Sequence, residues 1–159
     1  MEEVKPIKRS KELAPLSREH HEGLLFGWKI KQGLANHTGI ELMAEYTLWF
    51  WKNHLMQHFR SEEEILIKHL PADNPLVLQM KTEHEQIKEL VKNLGNNPGA
   101  EVLKLLAETI HNHIRFEERQ LFPYAEKKLT REQLNEIFDH LPQVVQCDTE
   151  WKNEFWVKK

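Results

Sequence analysis

The sequence has few of the residues that disulfides and tight turns require. Its 159 residues include one Cys, 6 Gly and 7 Pro. A single thiol excludes an internal disulfide and any cysteine-based zinc cluster. So few Gly and Pro residues favour long helices over a turn-rich β architecture. We therefore expect an all-α protein.

Charge and hydropathy narrow the class of protein further. The net charge is −3, so bulk electrostatics do not indicate nucleic-acid binding. No stretch is long and apolar enough for a transmembrane helix, and the polar start MEEVKP does not resemble a signal peptide. We expect a cytoplasmic protein with no membrane partner and no nucleic-acid partner.

Proline, glycine and asparagine divide the chain into four long predicted helices. These cover residues 15–35, 40–70, 75–94 and 100–128, and Pro123 can kink the last one. Thr130 and Gln133 form a capping box for a short fifth helix that ends near Leu141. Because short connections imply antiparallel neighbours, the pattern predicts an up-down-up-down four-helix bundle with a short C-terminal helix and tail.

These boundaries give three parts. Residues 1–14 form a polar N-terminal arm, residues 15–141 the bundle, and residues 142–159 an aromatic C-terminal tail. The tail contains three large aromatic side chains: Trp151, Phe155 and Trp156. We expect a tail this apolar to pack on the bundle or on a partner, which includes a second copy of the chain in a homodimer.

The chain also contains ten histidines, and two of them begin a repeated motif. His58 and Glu62 lie four residues apart, as do His113 and Glu117, in similar sequence contexts. Positions i and i+4 share one face of a helix, so each pair can reach one point. One such pair is more often a surface ion pair, whereas two in matching contexts favour a metal site.

The apolar stripes of the predicted helices lead to the same residues. The stripe of the fourth helix passes through His113 and Glu117 to Leu121 and Tyr124, and that of the second through His58 and Glu62 to Ile65. His84 lies in the middle of the stripe of the third helix. On the first helix His20 fits the stripe better than His21, although the pattern does not decide between them.

The inward-facing set is four histidines and two glutamates: His20, His58, Glu62, His84, His113 and Glu117. Two buried carboxylates need compensating charge, and no Lys or Arg lies on these stripes. A pair of cations would compensate them. Imidazole and carboxylate together suit iron, manganese or zinc better than calcium or magnesium. If both glutamates bridge, the two ions would lie roughly 3.5–4 Å apart.

Four further residues are weaker candidates for the site: His21, His54, Glu63 and Glu118. His21 could support the ligands rather than join them. His54 lies one turn before His58, and we interpret it as a hydrogen-bond donor behind the ligands or as a packed histidine. Glu63 and Glu118 point sideways, so we interpret them as hydrogen-bonding or solvated groups, with exchange for Glu62 or Glu117 as the alternative.

The order of these motifs resembles the hemerythrin-like family, also called HHE cation-binding domains. The matching motifs span about residues 13–127: Arg18-Glu19-His20-His21, His58-Phe59 with Glu62-Glu63, Glu83-His84, and His113-Ile114 with Glu117-Glu118 and Leu121-Phe122-Pro123. The resemblance implies a four-helix bundle with two non-haem iron ions. By ligand type, zinc or manganese can substitute for iron. Positions left open on the ions could accept an oxo or hydroxo bridge and a small diatomic or peroxide ligand.

One position departs from the oxygen-carrying members of that family. Those proteins have an HxxxH pair on the third helix, whereas Lys88 stands four residues after His84 here. The set is more similar to the branch for iron–sulfur-cluster repair and nitric-oxide response. We therefore expect a di-iron protein that binds or senses O2, nitric oxide or related species. An iron-donating or redox enzyme-like role and a metal-stabilised interaction module are the alternatives.

Overall fold

The computed structural model describes residues 9–142 and 151–157. Over these ranges the chain forms five helical rods and no strand: α1 (Ala14–Ala35), α2 (residues 40–69), α3 (Pro75–Asn96), α4 (residues 100–128) and α5 (Arg131–His140). The all-α class is confirmed, and the observed helices follow the predicted ones to within a few residues.

Two helix starts, those of α3 and α5, carry side-chain caps. The Asn74 side chain accepts a hydrogen bond from the Leu76 amide at 2.9 Å, with Pro75 at the first helical position of α3. Thr130 and Gln133 exchange reciprocal hydrogen bonds at the start of α5, so the capping box is present. These caps satisfy amide groups that the first helical turn leaves free.

Two of the rods change helical type along their length. The segments of α2 are Ile40–Phe50, Trp51–Leu55, Met56–Ser61, Glu62–Leu66 and Ile67–His69, and those of α4 are Ala100–Phe116, Glu117–Leu121 and Phe122–Lys128. Trp51–Leu55, Glu62–Leu66 and Glu117–Leu121 are π-helical turns. Each π-turn inserts one residue into the helix, and such turns are frequent at functional sites.

The apolar core is divided into two clusters. The tail-side cluster includes Phe26, Ile30, Phe50, Leu106 and Phe155. The α5-side cluster includes Leu16, Leu66, Met80, Phe122 and Ile137. α1 and α3 run from the α5-side cluster to the tail-side cluster, and α2 and α4 run in the opposite direction. This alternation is the expected up-down-up-down topology.

The described part of the tail packs on its own chain. Phe155 is buried, and its ring meets that of Tyr46 edge-on at a centroid distance of 5.2 Å. The Asn36 amide donates to the Phe155 carbonyl at 3.3 Å. Gly33 leaves room for this ring, since a Cβ at that position would lie 2.7 Å from two of its carbon atoms. Packing on the bundle is therefore observed for this segment, and a homodimer through the tail stays a prediction.

The described end of the N-terminal arm is also packed. Leu13 is fully buried in the α5-side cluster, and Glu12 is almost as buried. Residues 1–8 of the predicted arm and 143–150 and 158–159 of the predicted tail lie outside the described residues.

Across residues 9–142 and 151–157, none of the helices combines the length and the apolarity that a bilayer span requires.

Candidate metal centre

The six residues predicted as ligands meet in a layer between the two apolar clusters. None is more than 4% exposed: His20, His58, Glu62, His84, His113 and Glu117. Their donor atoms form two groups that could each hold a metal ion. The first, the His20 site, contains His20, His58, Glu62 and Glu117; the second, the His84 site, contains Glu62, His84, His113 and Glu117. In each group the donor atoms lie within 4.8 Å of one another, and both groups share the two glutamates.

The Nε2 atom of each histidine points to one of the shared glutamates. The Nε2 to oxygen distances are 2.9 Å for His20 and 3.2 Å for His113 to Glu117 Oε1, and 3.3 Å for His58 and 3.1 Å for His84 to Glu62 Oε1. The same ring nitrogen of all four histidines is thus turned inward. This is the nitrogen that a metal ion between the helices would use.

Several buried polar atoms of this layer have no hydrogen-bond partner. They include Nε2 of His58 and His113 and Oε2 of Glu62 and Glu117. Buried polar atoms are nearly always paired, so a group of unpaired ones calls for an explanation. Two cations would engage these atoms and also neutralise the two carboxylates. The donor set therefore fits a pair of transition-metal ions.

The other ring nitrogen of every site histidine faces a second carboxylate. The Nδ1 to oxygen distances are 2.8 Å for His20 and Glu118, 3.1 Å for His58 and Glu19, 3.4 Å for His84 and Glu63, and 2.7 Å for His113 and Glu83. When Nδ1–H donates to a carboxylate, the tautomer is fixed with Nε2 free to bind a metal ion. Such outer carboxylates are the usual partners of metal-ligating histidines.

The outer carboxylates follow a two-fold pattern. Glu19 of α1 contacts His58 of α2, and in the same way Glu83 of α3 contacts His113 of α4. Glu63 of α2 contacts His84 of α3, and in the same way Glu118 of α4 contacts His20 of α1. Each pair of neighbouring helices around the bundle is linked once. The centre is therefore oriented by a closed ring of four histidine–carboxylate contacts.

The two shared glutamates also occupy equivalent backbone positions. Glu62 and Glu117 are each the first residue of a π-turn, and each turn ends with an amide that donates to that glutamate's own carbonyl. Within or just after each turn, the inserted residue changes which side chains are most buried. Ile65 and Tyr124, predicted to face the core, pack against the α5-side cluster but are only half-buried, whereas Leu66 and Phe122 are fully buried. The stripe prediction holds only in part at these two positions because it assumed an unbroken α-helix.

Protons compensate the carboxylates when no cation is bound. Burial lowers the pKa of each site histidine, but the neighbouring carboxylates outweigh burial and raise the pKa of His20, His58 and His84. For His113 burial is likewise outweighed, chiefly by the Glu117 carboxylate, and the pKa rises to about 10. Burial raises the pKa of Glu117, but His113 and the other histidines hold it well below its usual range. A metal ion must therefore displace protons from this layer.

The weaker candidates take other positions. His21 is exposed and belongs to neither donor group. His54 is half-buried, and its ring contacts those of Trp49 and Phe50 at centroid distances of 5.3 and 5.2 Å. Its pKa is lowered, mainly by burial. Glu118 makes the expected hydrogen bond, with His20 Nδ1, whereas Glu63 faces His84 Nδ1 at 3.4 Å without a hydrogen bond.

Sequence reasoning did not assign Glu19 and Glu83. Glu19 is 41% exposed and Glu83 21% exposed at the side chain, so neither lies on an apolar stripe. The available signal was their position directly before His20 and His84. In a helix, adjacent side chains point about 100° apart, so each glutamate turns from its neighbouring histidine towards the next helix.

A cavity of about 40 Å³ lies beside the His20 site. Its walls include His20, His58 and His113 together with the apolar residues Gly23, Phe50, Leu55, Phe59, Ile110 and Ile114. Glu19, Glu22 and His54 complete the lining, and His84 does not contribute. Since a cavity needs roughly 10–15 Å³ to hold one water molecule, this one has room for a water or a small diatomic molecule.

Comparison with known proteins identifies one family. The profile described as the hemerythrin HHE cation binding domain matches residues 29–125. The match contains all of α2 and α3 and five of the six central residues, whereas His20 lies ahead of it. Comparisons with curated proteins and with solved structures give no significant match. The chain belongs to the hemerythrin HHE cation-binding domain family, and its membership implies that it binds metal ions.

Proposed function

We propose that this protein is a non-haem di-iron protein that binds or senses O2, nitric oxide or a related small species. The observation that carries the proposal is the sharing of Glu62 and Glu117 by two groups of four donors. A carboxylate has two oxygens, so two shared carboxylates can each bridge a pair of ions. Each group then offers two imidazoles and two carboxylates, a donor set that suits iron and also accepts zinc or manganese.

In this proposal the six residues have distinct roles. His20 and His58 would hold one ion, His84 and His113 the other, and Glu62 and Glu117 both. Bound iron would supply the affinity for O2 and nitric oxide. The protein excludes bulk water, because the six side chains are almost fully buried, and it orients the imidazoles through the four outer carboxylates.

The cavity supports a small ligand. Its volume of about 40 Å³ and its mainly apolar inner walls suit a diatomic molecule better than an organic substrate. It borders three of the four site histidines, so a ligand in it would lie close to the His20 site.

A second candidate function is release of iron to an acceptor, or redox turnover of peroxide or nitric oxide. The observation that favours it is the polar outer wall of the cavity. Glu19 and Glu22 are exposed and His54 is half-buried, so side chains that can bind iron lead from the surface towards the His20 site.

Metal analysis and the optical spectrum of freshly isolated protein test the proposal. We expect two iron ions per chain, together with an absorption spectrum and a melting temperature that both change on chelation. The proposal fails if the protein contains no iron and chelation changes neither quantity.

Rapid mixing of the reduced, iron-loaded protein with O2, nitric oxide and peroxide separates the two candidates. A stable adduct that dissociates on removal of the gas supports binding or sensing. Fast consumption of the reagent, or transfer of iron to an acceptor chelator, supports the second candidate instead.

A further inference from the structure

Arg9 connects the N-terminal arm to the His20 site. Its side chain is 8% exposed, and its guanidinium makes three hydrogen bonds to α4. Nη1 donates to Glu126 Oε1 at 2.7 Å, and Nη2 donates to Glu118 Oε2 at 2.8 Å and to the Glu118 carbonyl at 2.7 Å. Charge-assisted bonds of this length from a buried arginine hold their partners in fixed positions.

The contact with the Glu118 carbonyl follows from the local sequence. Pro123 lies five residues after Glu118 and is the second residue after the π-turn, and it has no N–H to donate. In a π-helical turn the amide at that position would bond back to residue 118. Arg9 instead donates to this carbonyl, so the arm completes the hydrogen bonding that the proline interrupts.

Arg9 reaches His20 by two routes. In the first, the Glu118 carboxylate that accepts from Arg9 also accepts from His20 Nδ1, at 2.8 Å. In the second, the guanidinium lies 5.3 Å from the centre of the Phe122 ring, and that ring stacks on the His20 ring at 5.2 Å with 11° between the planes. Both the hydrogen bond and the ring orientation of His20 thus depend on groups that Arg9 contacts.

The His84 site has a weaker counterpart. Its outer carboxylate, Glu63, lies 3.7 Å from Lys88 Nζ, and Lys88 is 39% exposed and is also paired with Glu85. The Glu63 to His84 distance is 3.4 Å, which is longer than the 2.8 Å between Glu118 and His20. A solvated ammonium on a flexible stem fixes a carboxylate less well than a buried guanidinium does.

We propose that Arg9 is a positioning residue which strengthens metal binding at the His20 site, so that the two metal positions have unequal affinities. The inference rests on the two-metal centre proposed above. Arg9 fixes the Glu118 carboxylate, which in turn fixes the tautomer and orientation of His20. Loss of an outer partner of a metal-ligating histidine typically costs about 10–100-fold in metal affinity.

The test is anaerobic competition for Fe²⁺ between a graded chelator and the protein, in wild type and Arg9→Gln. We expect one of the two binding constants to fall by about 10-fold, the lower end of this range because Glu118 itself remains, with the other unchanged. Arg9→Lys keeps the positive charge but loses the planar guanidinium that bonds to two carboxylates at once, so its binding constant should lie between those of wild type and Arg9→Gln. Glu126→Gln loosens one arm of the guanidinium and should reduce the same constant by less; it also serves if Arg9→Gln does not fold.

Arg131→Gln is the matched control. Arg131 donates to Glu12 at 3.1 Å and so ties the same N-terminal segment to α5, without a contact to Glu118 or Phe122. Both constants should stay at their wild-type values. Equal losses in Arg9→Gln and Arg131→Gln would show that Arg9 only anchors the segment, and would overturn the inference.

Two backgrounds assign the affected position. In the His84→Ala background, Arg9→Gln should still lower the binding constant of the remaining ion. In the His20→Ala background, Arg9→Gln should have no further effect on that constant. The reverse assignment, or two unchanged constants in Arg9→Gln, overturns the inference alone. A wild-type protein that binds fewer than two ions overturns the proposed function and this inference with it.

Discussion

The two halves of the centre share a design but not their surroundings. Residues 19–63 and 83–118 supply the same elements: a histidine preceded by a glutamate, a histidine and a glutamate one turn apart, and a following outer carboxylate. Around the His20 site, a buried arginine holds the outer carboxylate Glu118, and both histidines line the cavity. Around the His84 site, the corresponding cation is exposed, and of the two histidines only His113 lines the cavity. Equivalent ligands can thus serve unequal positions.

Loss of a shared glutamate should have the largest effect. Glu62→Ala and Glu117→Ala should each reduce the metal content from two ions per chain towards zero, because each residue belongs to both donor groups. Elemental analysis after dialysis measures this. Glu64→Ala, an exposed position in the same π-turn as Glu62, should retain both ions. One ion kept at full affinity would show that the mutated glutamate is not shared.

Loss of one histidine should separate the halves. His20→Ala and His84→Ala should each leave about one ion per chain, because each histidine belongs to one group only. His21→Ala should keep two, because His21 is exposed. The same metal analysis decides. A larger loss in His21→Ala than in His20→Ala would mean that the ligand on α1 is His21.

The fold and the six central residues could be predicted because both depend on periodicity. Residues four apart share a helix face, so the sequence brings His58 to Glu62 and His113 to Glu117 without tertiary information. Asn74 with Pro75, and Thr130 with Gln133, mark helix starts by local chemistry alone.

The remaining features depend on distances between helices. Glu19 faces His58 only because α1 lies beside α2, and Arg9 faces Glu118 across more than a hundred residues of sequence. The π-turns were not predicted because the apolar stripes were followed with the period of an unbroken α-helix, which has no place for an inserted residue. Contacts between helices such as these form only in the assembled bundle, and no spacing of residues in the sequence predicts them.

The pH dependence should distinguish the metal-free from the loaded protein. The raised histidine pKa values stabilise the metal-free fold below about pH 6.5, and this contribution is lost as the pH rises through the folded-state values, to about 10 for His113. The melting temperature of the chelated protein should therefore fall between these limits. The difference in melting temperature between the loaded and the chelated protein should grow as the pH rises, because a metal ion then has fewer protons to displace.

Thermal melts of both forms from pH 6 to 10 measure this. His113→Ala should flatten the upper end of the profile of the chelated protein, because the group with a pKa of about 10 is removed. A melting temperature of the chelated wild type that does not change over this range would contradict the assigned pKa directions.

A change at the cavity wall should have the smallest effect on metal content. A Cβ at Gly23 would lie 2.7 Å from Ile114 Cδ1, so Gly23→Ala should displace that side chain and cost about 1–3 kcal/mol of unfolding free energy. Both ions should remain, while nitric oxide should bind severalfold more slowly by stopped-flow absorbance.

Gly27→Ala, one turn later on α1, is the control. Its nearest neighbour is the Ala107 carbonyl at an ordinary 3.8 Å, so it should stabilise the helix by about 0.5–1 kcal/mol and leave ligand binding unchanged. Equal rates of nitric oxide binding in Gly23→Ala and Gly27→Ala would show that the ligand does not enter through the cavity. The cavity would then no longer distinguish the two halves of the centre.

The division of the apolar core has a consequence for the order of assembly. Because the tail-side and α5-side clusters lie on either side of the polar layer, each can form without a cation, and protons on the histidines compensate the carboxylates between them. Small zinc domains fold only when their metal arrives. Here we expect the bundle to be complete beforehand. Iron supply would then set how much of the protein is active, while the amount of folded protein stays constant.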